Sequence, residues 1–285
     1  MSTLRVLRRR IRSVQKTQQI TKAMEMVAAA KLRRAQARAL AARPYAAKIT
    51  EMLGNLSGAA SELSHPLFQA REVKSTALLV VSSDRGLCGA FNTNVIRAAE
   101  QRLRSAPAGT IKLYLVGKKA RDYYRRRRYP ILVSQTPVPG EASFEFARTL
   151  TQDLIARFLA GEVDRVELMY TQFISMLRRR VLIENFLPVG GDRKQTGAAS
   201  ATTIFEPDAE SIFAELLPRY AGAKLFAALA DSLASEHSAR MIAMGSARKN
   251  AGELIDLLVL RRNRLRQAVI TKELLDIVGG AEALK

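Results

Sequence analysis

The chemistry-bearing residues of this 285-residue chain are few, and the only cysteine, Cys88, sits among the most suggestive of them. It lies in Asp84-Arg85-Gly86-Leu87-Cys88-Gly89-Ala90-Phe91-Asn92, directly after an apolar run, where a nucleotide-binding α/β protein carries its phosphate loop. The spacing is neither G-x-G-x-x-G nor G-x-x-x-x-G-K-[ST], and no lysine stands where a phosphate loop needs one. Gly86 and Gly89 are therefore read as permitting a tight turn. Arg85 would favour a thiolate at Cys88, but only His65 and His237 are available as a base, and neither is near in sequence. Cys88 reads as a small buried residue. One cysteine and two histidines leave little for a metal site and exclude an internal disulfide, which fits a reducing compartment. No carboxylate pair is singled out by spacing. Arg125-Arg126-Arg127-Arg128 and Arg178-Arg179-Arg180 read as solvated basic faces, with contact to an anion as the lesser alternative. Nothing here makes a stand-alone enzyme, and neither a metal nor a cofactor is expected.

Charge says more. Lys and Arg number 46 against 26 Asp and Glu, a formal net charge of +20, so the chain needs an acidic partner. Residues 1–48 hold thirteen of the basic side chains and one acid, Glu25. An Arg-rich, acid-poor start imitates an organellar presequence, but a cleaved segment has no reason to stay in phase with the residues after it. No apolar run approaches the ~18 residues of a spanning helix. The 48% hydrophobic content is enough for a packed core.

Phase is what the start of the chain shows. Leu4, Leu7, Ile11, Val14, Gln18, Thr21, Glu25, Ala28, Leu32, Ala35, Ala39 and Ala42 alternate steps of three and four, a heptad seam that is polar in its middle. The register continues to Leu56, with a kink or restart expected at Pro44 and fading at Gly54 and Gly58. The other end repeats the pattern. Glu206-Pro207-Asp208 reads as a helix start and Pro218 as an interruption. A seam then runs through Phe226, Leu229, Leu233, His237, Arg240, Met244, Ala247, Ala251, Leu254, Leu258, Leu265, Ala268 and Leu275 to about Gly279. Gly245 and Gly252 are costly in a helix and tolerable if they admit a neighbouring backbone. Two long seamed helices suggest an antiparallel coiled coil, the alternative being two separate surface helices on a globular body. Neither seam is wide enough for a globular core face.

Between them the period changes. Ala77–Val81 is a buried-strand run, Ile111–Val116 a second strand, and Arg165–Ile174 and Arg180–Phe186 two more. Helices are expected over Phe91–Leu103 and about Phe144–Leu159, and a loop over Gly190–Thr203. The predicted fold is α/β with a Rossmann-like central domain plus a long helical coiled coil. Its divisions are 1–57 for the N-terminal coiled-coil helix, 58–208 for the α/β domain, and 209–285 for the C-terminal helix that pairs with the first.

The tract Ile11-Arg12-Ser13-Val14-Gln15-Lys16-Thr17-Gln18-Gln19-Ile20-Thr21-Lys22-Ala23-Met24-Glu25-Met26-Val27-Ala28-Ala29 resembles the N-terminal signature of the gamma subunits of F-type ATP synthases. Ser83–Gly89 is similar to their central turn. Ser235-Glu236-His237-Ser238-Ala239-Arg240-Met241 and Arg266-Gln267-Ala268-Val269-Ile270-Thr271-Lys272-Glu273-Leu274 are similar to their C-terminal helix. The resemblance implies a non-catalytic rotary central stalk. In that family the paired helices turn inside a ring of alpha and beta subunits, and the α/β domain sits near the epsilon subunit and the c-subunit ring.

Ion flow would turn the shaft and drive the three beta catalytic sites through different nucleotide affinities, with the basic N-terminal helix meeting acidic beta loops. By the same resemblance Arg266, Gln267 and Thr271 contact beta near the upper shaft, and Met24, Arg240 and Glu273 bear on coupling. Location is expected to be peripheral, on the cytoplasmic face of a bacterial inner membrane, because the seam begins at Leu4 with no room for a presequence. Arg262, Leu265 and Gly245-Ser246 depart from the family's usual residues, and the net charge is high for it. One cysteine cannot form the redox switch of chloroplast relatives. The competing reading is a basic coiled-coil protein that binds nucleic acid, which would require phosphate contacts and a steep salt dependence.

Overall fold

The structure, a computed structural model, describes residues 2–59, 66–69, 71–141, 143–189 and 209–282. The helix start expected at Glu206-Pro207-Asp208, His65 and the loop expected over Gly190–Thr203 lie outside the described residues.

Helix α1 spans Ser2–Ala59 and α5 spans Ala209–Glu282, 58 and 74 residues. Each continues without a break past its proline, Pro44 or Pro218, so neither proline restarts the helix. A proline in a helix strands the carbonyl four residues earlier. Here those carbonyls belong to Leu40 and Ala214, both on exposed residues, where water can satisfy them.

The rest is a five-stranded sheet with helices on both faces. In chain order it comprises β1 (Thr76–Val81), α2 (Phe91–Arg104), β2 (Ile111–Val116), α3 (Lys118–Tyr124), β3 (Ile131–Gln135), α4 (Phe144–Leu159), β4 (Arg165–Phe173) and β5 (Arg179–Leu187). The strand order is β3-β2-β1-β4-β5. β1 to β4 pair in parallel and β5 closes the sheet as an antiparallel hairpin with β4. α3 and β3 are additions to the sequence reading.

β1 is the central strand and is buried along its whole length, as its uninterrupted apolar run requires. Alternation sorts its side chains. Leu78 and Val80 pack with Val95, Ala99 and Leu103 of α2 and with Ala120 and Tyr124 of α3. Ala77, Leu79 and Val81 face Leu150, Leu154 and Phe158 of α4, Leu217, Leu225 and Leu229 of α5, and Ile49 of α1. Arg102 of α2 grips Glu167 of β4 with two hydrogen bonds of 2.7 Å, closing one edge of that packing.

The chain divides into two compact units, residues 1–28 with 240–285, and residues 29–239. In the first, α1 and α5 run antiparallel. Gln18 faces Gly252 and Glu25 faces Gly245, so the seven residues gained along one helix are lost along the other. Leu7, Ile11 and Val14 pack with Ile255, Leu258, Val259 and Leu265.

Candidate functional site

The loop after β1 sits where an α/β sheet of this kind offers a ligand crevice, because the chain moves to opposite sides of β1 on leaving it and on returning as β4. Here the chain fills that position itself. Asp84 accepts a hydrogen bond from the Lys118 amide and another from the Val138 amide, each 2.7 Å. The Lys119 amide donates to the Ser83 carbonyl at 3.0 Å and the Ala120 amide to Ser82 Oγ at 3.0 Å. Three first-turn donors of α3, the groups that would bind a phosphate, are thus taken by Ser82, Ser83 and Asp84. Gly117 makes the approach possible, since with φ 101° a Cβ there would lie 2.2 Å from the Ser82 carbonyl oxygen. Gly89 takes the positive φ that a tight turn needs, 55°, and Leu87 joins it at 61°, whereas Gly86 does not.

Cys88 is buried, as read from the sequence. Its Sγ accepts from Asn92 Nδ2 at 3.2 Å, while Asn92 Oδ1 accepts from the Ser83 amide at 3.0 Å. With Phe91 and Ala239 it forms a small apolar cluster, so the thiol is a packing residue. Among the described residues no cluster of His, Cys, Asp and Glu could hold a metal ion.

The serines of Ser235–Met241 have a different task. Ser232, Ser235 and Ser238 follow one another along a buried face of α5 at steps of three. Ser235 Oγ donates to the Thr171 carbonyl at 3.1 Å and Ser238 Oγ to the Met176 carbonyl at 2.6 Å. Ser238 also accepts from Arg179 Nη1 at 3.1 Å. Small hydroxyl residues let α5 lie close on the β4–β5 hairpin and rivet it there by polar bonds. His237 is buried on the same stretch. Periodicity places these residues on a helix but gives no sign of which carbonyls they bind.

In the other unit the predicted seam is followed closely on α1, where Leu7, Ile11, Thr21 and Ala28 are buried and Leu4, Val14, Gln18 and Glu25 half-buried. On α5 it ends sooner than expected. Met244, Ala251 and Leu258 are buried and Leu265 half-buried, but Ala268 and Leu275 are exposed. The register explains this. Sixteen residues back from Gln18 to Ser2 correspond to sixteen onward from Gly252 to Ala268, so the described part of α1 reaches no further along α5 than Ala268. Leu254 also leaves the seam, and Ile255 packs in its place. The glycines expected to admit a backbone instead admit side chains, Glu25 at Gly245 and Gln18 at Gly252.

The residues singled out by resemblance fall into two groups. Met24 is half-buried on α1 and Arg240 buried on α5. Arg266, Gln267, Thr271 and Glu273 are all exposed on the part of α5 where α1 ends, beginning about 39 Å along the helix from Arg240. Around them Ile270, Leu274, Leu275, Ile277 and Val278 are exposed apolar side chains.

A family model described as ATP synthase matches residues 3–284. The ATP synthase gamma chain of Pelotomaculum thermopropionicum is 45% identical over 285 residues, covering 100% of both chains. That of Moorella thermoacetica is 47% identical over 287 residues, again covering 100% of both. The chain belongs to the ATP synthase gamma family. Among solved structures, a chain from the central stalk and c-ring of Tetrahymena thermophila mitochondrial ATP synthase matches the gamma fold seen here with a TM-score of 0.65. It is 26% identical and covers 80% of this chain and 99% of its own. A rotor chain of the Euglena gracilis mitochondrial enzyme has a TM-score of 0.66 at 20% identity and shows the same fold. The nucleic-acid reading has no support among these gamma relatives. No described helix is long and apolar enough to cross a membrane.

Proposed function

We propose that this chain is the rotary shaft of an F-type ATP synthase, carrying torque between a membrane c-ring and a catalytic head of alpha and beta subunits. It thereby couples ion translocation to ATP synthesis or hydrolysis, and it performs no chemistry itself. The observation that carries this reading is the antiparallel pairing of two helices of 58 and 74 residues in a chain alignable end to end with gamma chains. Residues 1–57 and 209–285 are the shaft on this reading, and 58–208 the domain that meets epsilon and the c-ring. Location is peripheral, on the cytoplasmic face of a bacterial inner membrane.

Two further features support the role. The rivets from α5 to the β4–β5 hairpin would pass torque from the α/β domain into the helix without depending on a ligand. The exposed basic side chains of α1 would meet acidic loops of beta. Each such exposed ion pair is worth only ~0–1 kcal/mol, which suits contacts that break and re-form on every turn. On this reading Arg266, Gln267 and Thr271 contact beta along the unpaired end of α5, and Met24, Arg240 and Glu273 affect coupling. Co-expression with alpha and beta from the same genome is expected to yield a complex with one copy of this chain per three beta chains. Failure to assemble, together with tight binding to duplex DNA at ~0.15 M salt, would favour the nucleic-acid reading.

A further inference from the structure

Glu25, the one acid among the first 48 residues, occupies a defined seat across the helix pair. Its Oε2 accepts a hydrogen bond from Arg248 Nε at 2.9 Å. Its Oε1 stands 3.2 Å from the position a Cβ would take on Gly245. One heptad away, Gln18 Nε2 stands 3.1 Å from the Cβ position of Gly252. A glycine inside a helix is unfavourable, so two of them one heptad apart on a seam need a reason. The nearest atoms across the pair are these two polar side chains, which leave no room for a larger residue.

We propose that Glu25–Gly245–Arg248 and Gln18–Gly252 form a two-point register lock that fixes α1 against α5, making them positioning residues for torque transmission. This rests on the shaft reading. The apolar layers around Ile11 and Leu258 repeat with the heptad, so by themselves they tolerate a slip of seven residues, about 10 Å. Polar seam residues do not tolerate it, and setting register is the best-attested use of such groups. A slip one way moves Gln18 from Gly252 to the branched Val259. A slip the other way takes Glu25 off Gly245 and away from Arg248. Only the observed register gives both polar side chains a glycine. A slipping pair would absorb an applied load instead of transmitting it.

The test uses the whole complex in lipid vesicles, reading ATP-driven membrane potential per ATP hydrolysed. Register is read as the distance between spin labels at Arg10→Cys and Lys249→Cys in a Cys88→Ser background. Glu25→Arg and Arg248→Glu alone are each expected to lower the coupling ratio at least about threefold and to add a second distance population, displaced by roughly 5–8 Å because the axial slip of about 10 Å is seen obliquely across the pair. The double variant Glu25→Arg/Arg248→Glu is expected to recover both readouts.

Single variants that couple like the parent, a double variant no better than the worse single, or lost coupling with an unmoved distance would each overturn the lock. Should the reversed-charge complexes not assemble, Gly245→Ala, which pushes the carboxylate aside, is expected to lower coupling about twofold. Gly245→Ala with the shorter Glu25→Asp should restore it, and no loss in Gly245→Ala overturns the proposal. A parent complex showing no coupling at all would instead refute the shaft reading.

Discussion

Replacing Asp84 tests whether the loop after β1 is a structural cap. Its carboxylate holds two backbone donors, at Lys118 and Val138, both at 2.7 Å. A hydrogen bond to a charged group contributes about 1.5–3 kcal/mol, and Asp84 is half-exposed, so the lower figure applies to each. Asp84→Ala should then cost each of the two amides about 1.5 kcal/mol of protection, Lys118 in the first turn of α3 and Val138 in the segment after β3. At about 1.4 kcal/mol per decade, amide exchange at Lys118 and at Val138 should each quicken by roughly 10-fold. Asp84→Asn keeps one neutral acceptor and should lose about half of that free energy. Hydrogen exchange resolved by peptide, with the β4–β5 hairpin as internal reference, reads both. Equal exchange in Asp84→Ala and the parent would show that the carboxylate does not seal α3, and the argument that the chain fills its own anion seat would fall.

Three other outcomes follow from the packing. Arg102→Ala leaves Glu167, almost wholly buried, without its two-point partner and should destabilise the α/β unit by about 3 kcal/mol in denaturant unfolding; a loss under 1 kcal/mol would contradict the burial argument. Truncation after Leu258 removes the unpaired end of α5 and part of the seam, and should lower torque under load while leaving the complex able to bind nucleotide; unchanged rotation would exclude the tip contacts. Glu141 is held below the usual carboxylate range by hydrogen bonding to Arg38, helped by the nearby Arg34. A depressed acid stabilises above its ordinary value and loses that contribution as pH falls through its folded value. A spin label at Gly140→Cys should therefore keep constant mobility from about pH 7 down to 4.5 and loosen only below it, whereas loosening between 7 and 5 would refute the pairing.

The seam on α1 was legible because alternating three and four steps encode a helix face directly, and Leu7, Ile11, Thr21 and Ala28 all lie on it. Its end on α5 was not, because Ala268 and Leu275 keep the rhythm after the partner helix has stopped, and periodicity within one segment carries no information about the length of another. That Pro44 and Pro218 do not break their helices was hidden for a related reason: the cost of a stranded carbonyl depends on solvent at Leu40 and Ala214, which tertiary structure decides.

The central strand announced itself by five apolar residues in a row. β3 did not, since Ile131–Gln135 is a half-buried edge strand of five residues behind four arginines. α3 is only seven residues long, and its sole signature is Ala120 and Tyr124, buried four apart. At the loop, the spacing argued against a phosphate cradle, but the Ser83–Gly89 resemblance carries no sign that Asp84 takes the anion's place. Gly245 and Gly252 were visible as oddities, and only the pairing of the helices shows that Glu25 and Gln18 occupy them.

Single-molecule rotation tests the account most directly. With the catalytic head fixed to a surface and a bead on an exposed cysteine placed at Arg126 of the α/β unit, ATP should drive the bead in one direction with three dwell positions per turn, one for each catalytic site. Steady ATP hydrolysis beneath a motionless bead firmly joined to this chain would contradict it.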